Sequence, residues 1–471
     1  MGLQFYDTLS KEKRPFEPRE PGVVRMYNCG PTVYGRAHIG NLRTFLFADT
    51  LRRWLECRGL RVLQVMNITD VGHLQGDADE GEDKLEAQAR KEKKDPWQIS
   101  RHYTELFLAD MKKLGFKEPL VRPKASEHIP EMLEIIDGLL QSGHAYEAGG
   151  SVYFEVAKFP RYGRLSGNTV AELEAGARIE VREEKRHPAD FALWKEDPQH
   201  LMKWQSRFGE HGFPGWHIEC SAMARKHLGD ELDIHTGGED NVFPHHECEI
   251  AQSEAFTHKP FARFWMHSKF LQVDGGKMSK SLGNVYDLDH VSARGYSPRV
   301  LRFALIRGHY RGPLNFTWGI LEEAKSALDK LDELCADVLA ALKSEREEQE
   351  PALAQLRISK AQFESGMDDD LNVPQALASL FSLRGVVKEF GIGRRFAEEA
   401  LPFLRLANEA LGVLQLEERS LDERMKELIA ARAEARTKKD WAAADRIRDE
   451  IAALGVVLQD TPQGVVWRRR G

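Results

Sequence analysis

The fold is decided by residues 24–66, which read VRMYNCGPTVYGRAHIGNLRTFLFADTLRRWLECRGLRVLQVM. Residues 24–27 predict a short strand, and the glycine-rich stretch 29–40 predicts a loop. Asn41 is a residue type that caps helices, and the apolar side chains after it recur at helical spacing. Residues 61–66 predict a second strand. The order strand, loop, helix, strand indicates half of a nucleotide-binding α/β sheet.

The chain has 471 residues, which is too long for one core and indicates several domains. Its content of 42% hydrophobic and 30% charged residues is typical of a globular protein. No window approaches the roughly 18 apolar residues that a membrane helix needs, and the N-terminus lacks the pattern of a signal peptide. We therefore expect a cytoplasmic protein without a membrane partner. The net charge of -7 disfavours a nucleic-acid partner only weakly, because local patches decide such binding.

Five cysteines are spread widely along the chain. An odd number at wide spacing does not fit a disulfide framework, so metal binding or simple burial is the better interpretation. The five are Cys29, Cys57, Cys220, Cys248 and Cys335.

The predicted domains follow from changes in composition and periodicity. Residues 1–125 and 211–292 are expected to form a split α/β catalytic domain, because apolar strand patterns resume near 232–234. Residues 126–210 are expected to be a subdomain inserted between the two halves, with a helix from about 126 to 143, a hairpin that turns at Gly149-Gly150, and a mixed, polar stretch 161–210. Residues 293–318 are expected to link the catalytic domain to a helical region.

Residues 319–416 are predicted to form a helical bundle. Apolar side chains from Leu321 to Leu342 step by three and four residues, which is typical of an amphipathic helix. Two more helices are predicted at about 374–390 and 395–412. The charged stretch 344–350 is interpreted as a linker.

Residues 421–471 predict a small C-terminal domain of two helices and a hairpin that turns at 461–464. Trp467 and the run Arg468–Arg470 lie at its end. An aromatic side chain beside a basic run suits RNA contact, and a solvated tail is the alternative. The residues alone leave both open.

Two loops carry the residue types that ATP binding requires. Residues 30–41 place small residues before a helix N-terminus, where the backbone approaches a phosphate closely and negative charge is favoured. His38 is placed to donate a hydrogen bond to a phosphate oxygen. Residues 275–284, GGKMSKSLGN, place Lys277 and Lys280 in a second loop, where two ammonium groups stabilise developing phosphate charge.

A candidate metal site is indicated by the block Phe243–Glu249. On a helix that begins after Pro244, His245 and Glu249 are four residues apart and share one face, so they could hold one zinc ion. Cys220 and Cys29 could supply thiolates. Spacing alone leaves Cys248 as an alternative to Glu249, because it lies three residues from His245 and is the softer ligand.

The two loops together resemble the signature motifs of class I aminoacyl-tRNA synthetases. The second motif, Lys-Met-Ser-Lys-Ser, is complete at 277–281, whereas the first has Asn41 where the family has His. The metal block is similar to that of cysteinyl-tRNA synthetases, and the resemblance runs over nearly the whole chain. It includes the segments 67–70, 368–372 and 459–464. The departures are Cys248, where the family usually has Asn, and the segment Val71–Glu82, which is longer and contains Gly72-His73.

The resemblance implies a Rossmann-like parallel-sheet catalytic domain with an inserted subdomain, an α-helical bundle and a small helix-hairpin domain that reaches the anticodon region. It implies activation of L-cysteine by Mg-ATP and transfer of the cysteinyl group to the 3′ adenosine of tRNA(Cys), by a monomer. The implied catalytic residues are His38, Asn41, Lys277 and Lys280. The implied ATP contacts are Gly30, His38, Gly40, Asn41, Lys277, Ser279 and Lys280. The implied substrate contacts are Thr69 and Trp216, and one zinc ion is implied at Cys29, Cys220, His245 and Glu249.

Two rival functions compete with this one. A ligase that joins cysteine to an amino sugar would share the ATP loops and the zinc ligands, but it would not need the bundle and basic tail after residue 319. A non-catalytic, zinc-containing RNA-binding protein would not need the intact lysine motif.

Overall fold

A computed structural model describes residues 2–74, 81–168, 184–278, 283–347, 349–416, 423–454, 456–461 and 464–469. The strands are β1 (Gln4–Asp7), β2 (Glu12–Pro15), β3 (Val23–Asn28), β4 (Arg61–Met66), β5 (Ala145–Ala148), β6 (Ser151–Phe154), β7 (Phe191–Glu196), β8 (Trp204–Ser206), β9 (Gly209–Pro214), β10 (Leu232–Gly238), β11 (Ala262–Ser268), β12 (Leu271–Val273), β13 (Gly276–Lys277), β14 (Leu314–Phe316), β15 (Val456–Thr461) and β16 (Gly464–Arg469). The helices are α1 (Ile39–Cys57), α2 (Lys84–Glu92), α3 (Pro96–Lys113), α4 (Ile129–Gln141), α5 (Trp216–Leu228), α6 (Glu247–Thr257), α7 (Leu288–Ala293), α8 (Pro298–Ile306), α9 (Trp318–Ala341), α10 (Glu350–Asp368), α11 (Val373–Phe390), α12 (Arg394–Leu411), α13 (Glu423–Thr437) and α14 (Trp441–Ala453).

The centre of the fold is a four-stranded parallel sheet in the order β11-β10-β3-β4. Neighbouring residues of β3 point to opposite faces, so Met26 packs in the core with α1 and Tyr27 packs in the core with α5. The helix α1 connects β3 to β4, which confirms the predicted α/β class. Because the carboxyl ends of parallel strands meet at one edge, the chain after β3, β4 and β10 converges there.

The start of α1 differs from its prediction. His38, not Asn41, is the N-cap, and the helix begins three residues earlier than expected. The Asn41 backbone N–H donates to His38 Nδ1 at 3.2 Å, and Asn41 Oδ1 accepts from the His38 backbone N–H at 3.1 Å. The imidazole thus takes the role usually filled by a hydroxyl or carboxylate in a capping box, which moves Asn41 into the first turn.

The region after residue 126 forms α4 and a five-stranded antiparallel sheet in the order β5-β6-β7-β9-β8. The predicted hairpin turn is confirmed at Gly149 and Gly150, which both have positive φ angles of 58° and 81°. The chain leaves this sheet at Pro214 and enters α5 directly.

Residues 319–416 are helical, as predicted, but their described part contains one helix more than the sequence indicated. The apolar stripe beginning at Leu321 is buried along α9, and α11 and α12 lie within one residue of their predicted bounds. The additional helix is α10, which begins at Glu350, the last residue of the stretch interpreted as a linker. No helix within the described ranges is long and apolar enough to cross a membrane.

The tail contains the two predicted helices, α13 and α14, and the predicted hairpin of β15 and β16. The Asp440 side chain accepts from the Ala443 backbone N–H at 3.0 Å, so Asp440 is the N-cap of α14. The side chains of Trp467 to Arg470, for which the sequence left RNA contact and a solvated tail open, lie outside the described residues.

Candidate metal centre and nucleotide cleft

Four buried side chains converge at the carboxyl edge of the parallel sheet. They are the four predicted metal ligands, Cys29, Cys220, His245 and Glu249, and their candidate ligand atoms all lie within 4.8 Å of one another. Glu249 Oε1 is 2.8 Å from His245 Nε2 and 3.7 Å from Cys29 Sγ. Two sulfurs, one imidazole nitrogen and one carboxylate oxygen at these distances are a donor set that could hold a divalent metal ion.

Three separate elements bring these ligands together. Cys29 directly follows β3, and Cys220 lies in the second turn of α5. The residue before α5 is Gly215, where a Cβ would lie 2.0 Å from the Ala192 carbonyl oxygen, so only glycine allows this approach to β7. His245 lies in a short turn that leads into α6, which begins at Glu247 and not directly after Pro244 as expected. Its four-residue spacing from Glu249 still turns both side chains toward the thiols.

A second candidate group overlaps the first and was missed at the sequence level. It contains Cys29, His235, His246 and Glu249. His246 Nε2 lies 3.2 Å from Cys29 Sγ, and His235 Nε2 lies 2.7 Å from Glu249 Oε2. His235 thus holds the second carboxylate oxygen of Glu249, an arrangement that fixes the orientation of a ligating carboxylate. The available signal was His235, which directly follows the strand residues predicted at 232–234.

The pKa values of the four predicted metal ligands are shifted in different directions. Burial alone would raise the pKa of Glu249, but His235 and His245 hold that pKa well below its usual range. Burial opposes ionisation of Cys220 as well, yet hydrogen bonds from Cys29 and His245 lower the pKa of its thiol to about 6.

The two remaining members of the cluster hold their protons. Burial, followed by the neighbouring Cys220, raises the pKa of Cys29 well above its usual value. Burial would lower the pKa of His245, but Glu249 and Cys220 raise it to about 10. A metal ion that entered this cluster would therefore displace protons from Cys29 and His245.

Cys248 lies beside these ligands in sequence but faces away from them. Its Sγ is 3.4 Å from the hydroxyl of Tyr162, on the side of α6 that packs against the inserted region. Among the described residues it belongs to neither candidate ligand group.

A cleft of about 550 Å³ opens above the cluster. Its wall includes Cys29, Cys220 and His245. Five residues assigned from sequence to ATP or substrate also line it: Gly30, His38, Asn41, Thr69 and Trp216. The metal cluster and the first ATP loop thus share one cavity.

Two glycines of the first ATP loop lie close to neighbouring atoms, and Gly30 has no room for a side chain. A Cβ at Gly30 would lie 1.8 Å from the Asn67 carbonyl oxygen, and a Cβ at Gly40 would lie 2.8 Å from Met278 Cε. The second contact places the beginning of the lysine loop against the first loop. Lys277, at the end of β13, is exposed and does not line the cleft. Ser279 and Lys280 lie outside the described residues.

The two predicted substrate contacts lie next to the metal cluster. The Trp216 indole stacks on the His245 ring with centroids 4.2 Å apart and planes 18° apart. The Thr69 hydroxyl donates to Glu219 Oε2 at 2.9 Å. Both side chains are therefore fixed by buried partners.

The fold and the cleft define a class I aminoacyl-tRNA synthetase. A model of the class I (C) tRNA synthetase catalytic domain matches residues 15–326. The fold is similar to that of Mycobacterium tuberculosis methionyl-tRNA synthetase in complex with methionyl-adenylate, with a TM-score of 0.61 and 13% identity over 83% of this chain and 92% of the other. It is also similar to a ternary complex of LeuRS, tRNA and LeuAMS from Agrobacterium radiobacter K84, with a TM-score of 0.62 and 13% identity over 84% of this chain and 85% of the other.

Within that class, the chain belongs to the cysteinyl-tRNA ligase family. A DALR domain model matches residues 362–415, and a cysteinyl-tRNA ligase anticodon-binding domain model matches residues 418–468. The chain is 46% identical to a cysteine–tRNA ligase of Thermus thermophilus, over 99% of both chains. It is 43% identical to that of Chlorobaculum tepidum, also over 99% of both. The family predicted from the sequence is confirmed.

Proposed function

We propose that this chain activates L-cysteine with Mg-ATP and transfers the cysteinyl group to the terminal adenosine of tRNA(Cys). The observation that carries the proposal is the cleft itself. One cavity contains a thiol-rich cluster suited to a metal at its base and a phosphate-binding loop at its rim. A substrate that spans both would carry a metal-binding side chain at one end and a carboxyl group facing ATP at the other.

The residues at the base of the cleft fit one zinc ion. Two thiolates, an imidazole and a carboxylate are all zinc ligands, and their burial excludes competing water. A zinc ion bound there would supply a Lewis-acid site for the thiolate of the substrate. Glu249 is the ligand best able to yield a position to the substrate, since a carboxylate oxygen is a harder donor than the two thiolates.

The same site explains how serine would be excluded. A cysteine thiol ionises near neutral pH and is a soft ligand, whereas a serine hydroxyl stays protonated and is a poor one. Selection at this first step would be strong, because a buried site built for one donor leaves its partners unsatisfied when that donor is missing. Trp216 and Thr69 would contact the rest of the amino acid.

The first loop would hold the phosphates. Because His38 Nδ1 accepts the Asn41 N–H, a ring proton that His38 donates to a phosphate would lie on Nε2. Asn41 Oδ1 is occupied by the His38 backbone, so its amide nitrogen is the group left to donate. Backbone N–H groups at the start of α1 add to this anion site.

Activation of cysteine would then depend on the positions of the reacting groups and on stabilisation of the phosphate charge. The cysteine carboxylate attacks the α-phosphate, the bond to pyrophosphate breaks, and cysteinyl-adenylate forms. The 2′-hydroxyl of the terminal adenosine of tRNA(Cys) then takes the cysteinyl group and releases AMP. His38, Asn41, Lys277 and Lys280 would stabilise the phosphate charge that develops in the first step.

The C-terminal parts would bind the tRNA. We assign residues 319–416 to a tRNA-binding bundle and residues 421–471 to a domain that contacts the anticodon region. The catalytic domain would comprise 1–125 and 211–292, with 126–210 inserted and 293–318 as the link.

The deciding experiment is an aminoacylation assay of the purified protein with a total tRNA pool and each amino acid in turn. Only cysteine should be transferred, and only to tRNA(Cys). Cysteine-dependent consumption of ATP without any charged tRNA would favour the rival ligase that acts on an amino sugar. Absence of both activities would contradict the proposal.

A further inference from the structure

The segment Val71–Glu82, which departs from the family pattern, reaches the cleft at His73. Its described ends are joined, because Leu74 and Asp83 form an antiparallel bridge and the Lys84 N–H donates to the His73 carbonyl oxygen at 3.0 Å. The two described ends of the segment therefore lie next to each other. This closure brings His73 and Lys84 together at the wall of the cleft, where both are lining residues.

Gly72 sets the path of this segment. Its φ angle is +74°, and a Cβ at this position would lie 2.6 Å from the Pro214 carbonyl oxygen and 3.3 Å from Glu219 Oε1. Only glycine combines this backbone conformation with so close an approach. The passage beside Pro214 directs the next residue, His73, toward the start of α5.

The His73 ring stacks on Trp216. The ring centroids are 4.1 Å apart and the planes differ by 10°. Since the opposite face of Trp216 stacks on His245 at 4.2 Å, the indole is held between His73 and a proposed metal ligand. His73 is only 6% exposed, so this three-ring stack is part of the packed wall of the site.

Both ring nitrogens of His73 have partners. Lys84 Nζ lies 2.7 Å from Nε2, and Thr32 Oγ1 lies 2.8 Å from Nδ1. An ammonium group only donates, so Nε2 accepts from Lys84, and the ring proton lies on Nδ1 and is donated to Thr32. These two bonds fix the plane of the imidazole before any ligand enters.

We infer that His73 is a positioning residue for amino-acid binding, which holds the Trp216 indole over the metal centre and so preforms one wall of the cysteine pocket. A wall that is already ordered lowers the entropic cost of binding the substrate. The inference rests on the proposed function, because it assumes that cysteine is the amino acid bound. It gives the atypical segment a role that neither ATP loop nor the metal ligands supply.

Two variants of His73 test the stacking of its ring and its hydrogen bonds separately. His73→Phe keeps a ring for stacking and loses both hydrogen bonds, and the half-buried Lys84 can turn to water. His73→Gln keeps a polar group within reach of Lys84 and loses the ring. His144→Ala, a change to a half-buried histidine in the inserted region, is the control.

The measurement is ATP–pyrophosphate exchange with varied cysteine and varied ATP, together with the zinc content of each variant. His73→Gln should raise the KM for cysteine about fivefold, the scale of one lost ring pair, with little change in the KM for ATP or in zinc content. His73→Phe and His144→Ala should stay within about twofold of the unmodified protein.

The inference is overturned if His73→Gln leaves the KM for cysteine unchanged. It is also overturned if His73→Phe is impaired as much as His73→Gln, because the hydrogen bonds and not the stack would then matter. A parallel loss of zinc or of ATP affinity would point to a general structural role and would count against it as well. If the unmodified protein shows no cysteine-dependent exchange, the proposed function has failed, which is a different result.

Discussion

At the scale of single residues, the metal site depends on a choice between two neighbours on α6. Spacing from His245 allows both Cys248 and Glu249, and ligand softness favours the thiol. The structure directs Glu249 toward Cys29 and His245 and directs Cys248 toward Tyr162. A carboxylate is also a harder donor than a thiolate, so it yields a position to the substrate thiolate more readily than a third thiolate would.

We expect Cys248→Ser to keep its metal and Glu249→Ala to lose or weaken it. The first change leaves every member of the cluster in place, whereas the second removes a ligand and leaves the Nε2 atoms of His235 and His245 without an acceptor. Metal analysis of both purified variants checks this. Loss of metal from Cys248→Ser with retention in Glu249→Ala would show that the thiol is the ligand.

The sequence predicted only part of this cluster from its own spacing. His245 and Glu249 could be paired because they are four residues apart on one helix. Cys29 and Cys220 lie 191 positions apart in the printed sequence, on different elements, so their meeting depends on how the sheet and α5 pack. His235 and His246 went unnoticed for the same reason, since their contacts with Glu249 and Cys29 exist only in the folded chain.

At the scale of elements, α1 joins the nucleotide site to the helical half of the chain. His38 caps its N-terminus at the cleft. Asp49, in the middle of the helix, forms a buried ion pair with Arg302 of α8 at 2.6 Å. Arg302 Nε also donates to the Leu411 carbonyl oxygen at the end of α12, at 2.8 Å. One buried guanidinium therefore ties three helices together.

Asp49→Asn should destabilise the protein by about 3–5 kcal/mol, because it leaves the buried Arg302 charge uncompensated. Denaturant unfolding would measure the change in free energy. Glu398→Gln, which breaks the exposed pair of Arg394 and Glu398 on α12, is the matched control and should cost at most about 0.5 kcal/mol. Equal effects of the two changes would contradict a structural role for the buried pair.

The buried ion pair of Asp49 and Arg302 also predicts that the free energy of unfolding depends on pH. Burial would raise the pKa of Asp49, but Arg302 and Arg53 hold it below its usual value. Because the folded pKa lies below the unfolded value of about 3.9, the stabilisation is present above that pH and is lost as the pH falls through the folded pKa. Between about pH 5 and pH 3, the unmodified protein should lose more stability than Asp49→Asn.

Element prediction from sequence succeeded where periodicity was strong. The heptad-like stripe of α9 and the strands β3 and β4 of the parallel sheet were identified correctly, whereas its edge strand β11 was not predicted. The helix α10 was missed because it follows a run of charged residues and carries few large apolar side chains, so its burial depends on α11 beside it. The early start of α1 was missed because an imidazole is an unusual cap.

At the scale of the whole molecule, the catalytic half and the bundle share one continuous core. Buried side chains extend without a break from the parallel sheet through α1 and α8 into α9 to α12. Asp370, after α10, accepts hydrogen bonds from the Tyr6 backbone N–H at 2.9 Å and the Tyr310 hydroxyl at 2.6 Å. The tail forms a separate small core around Met425, Ile451 and Leu458.

Deletion of residues 421–471 should therefore spare adenylate formation and weaken tRNA charging. The tail has its own core and none of its described residues lines the cleft, so its removal leaves the metal cluster and the ATP loop intact. Pyrophosphate exchange and aminoacylation measured on the same truncated protein give the two readouts. Undiminished charging would mean that the tail does not contact the tRNA.

The most direct test of the proposed chemistry is ATP–pyrophosphate exchange measured with cysteine and with serine as the only amino acid. The buried thiol-binding cluster at the base of the cleft predicts robust exchange with cysteine and a rate at least about a hundredfold lower with serine, because a hydroxyl cannot take the place of the thiolate. Comparable exchange with the two amino acids would contradict selection by a metal-bound thiolate.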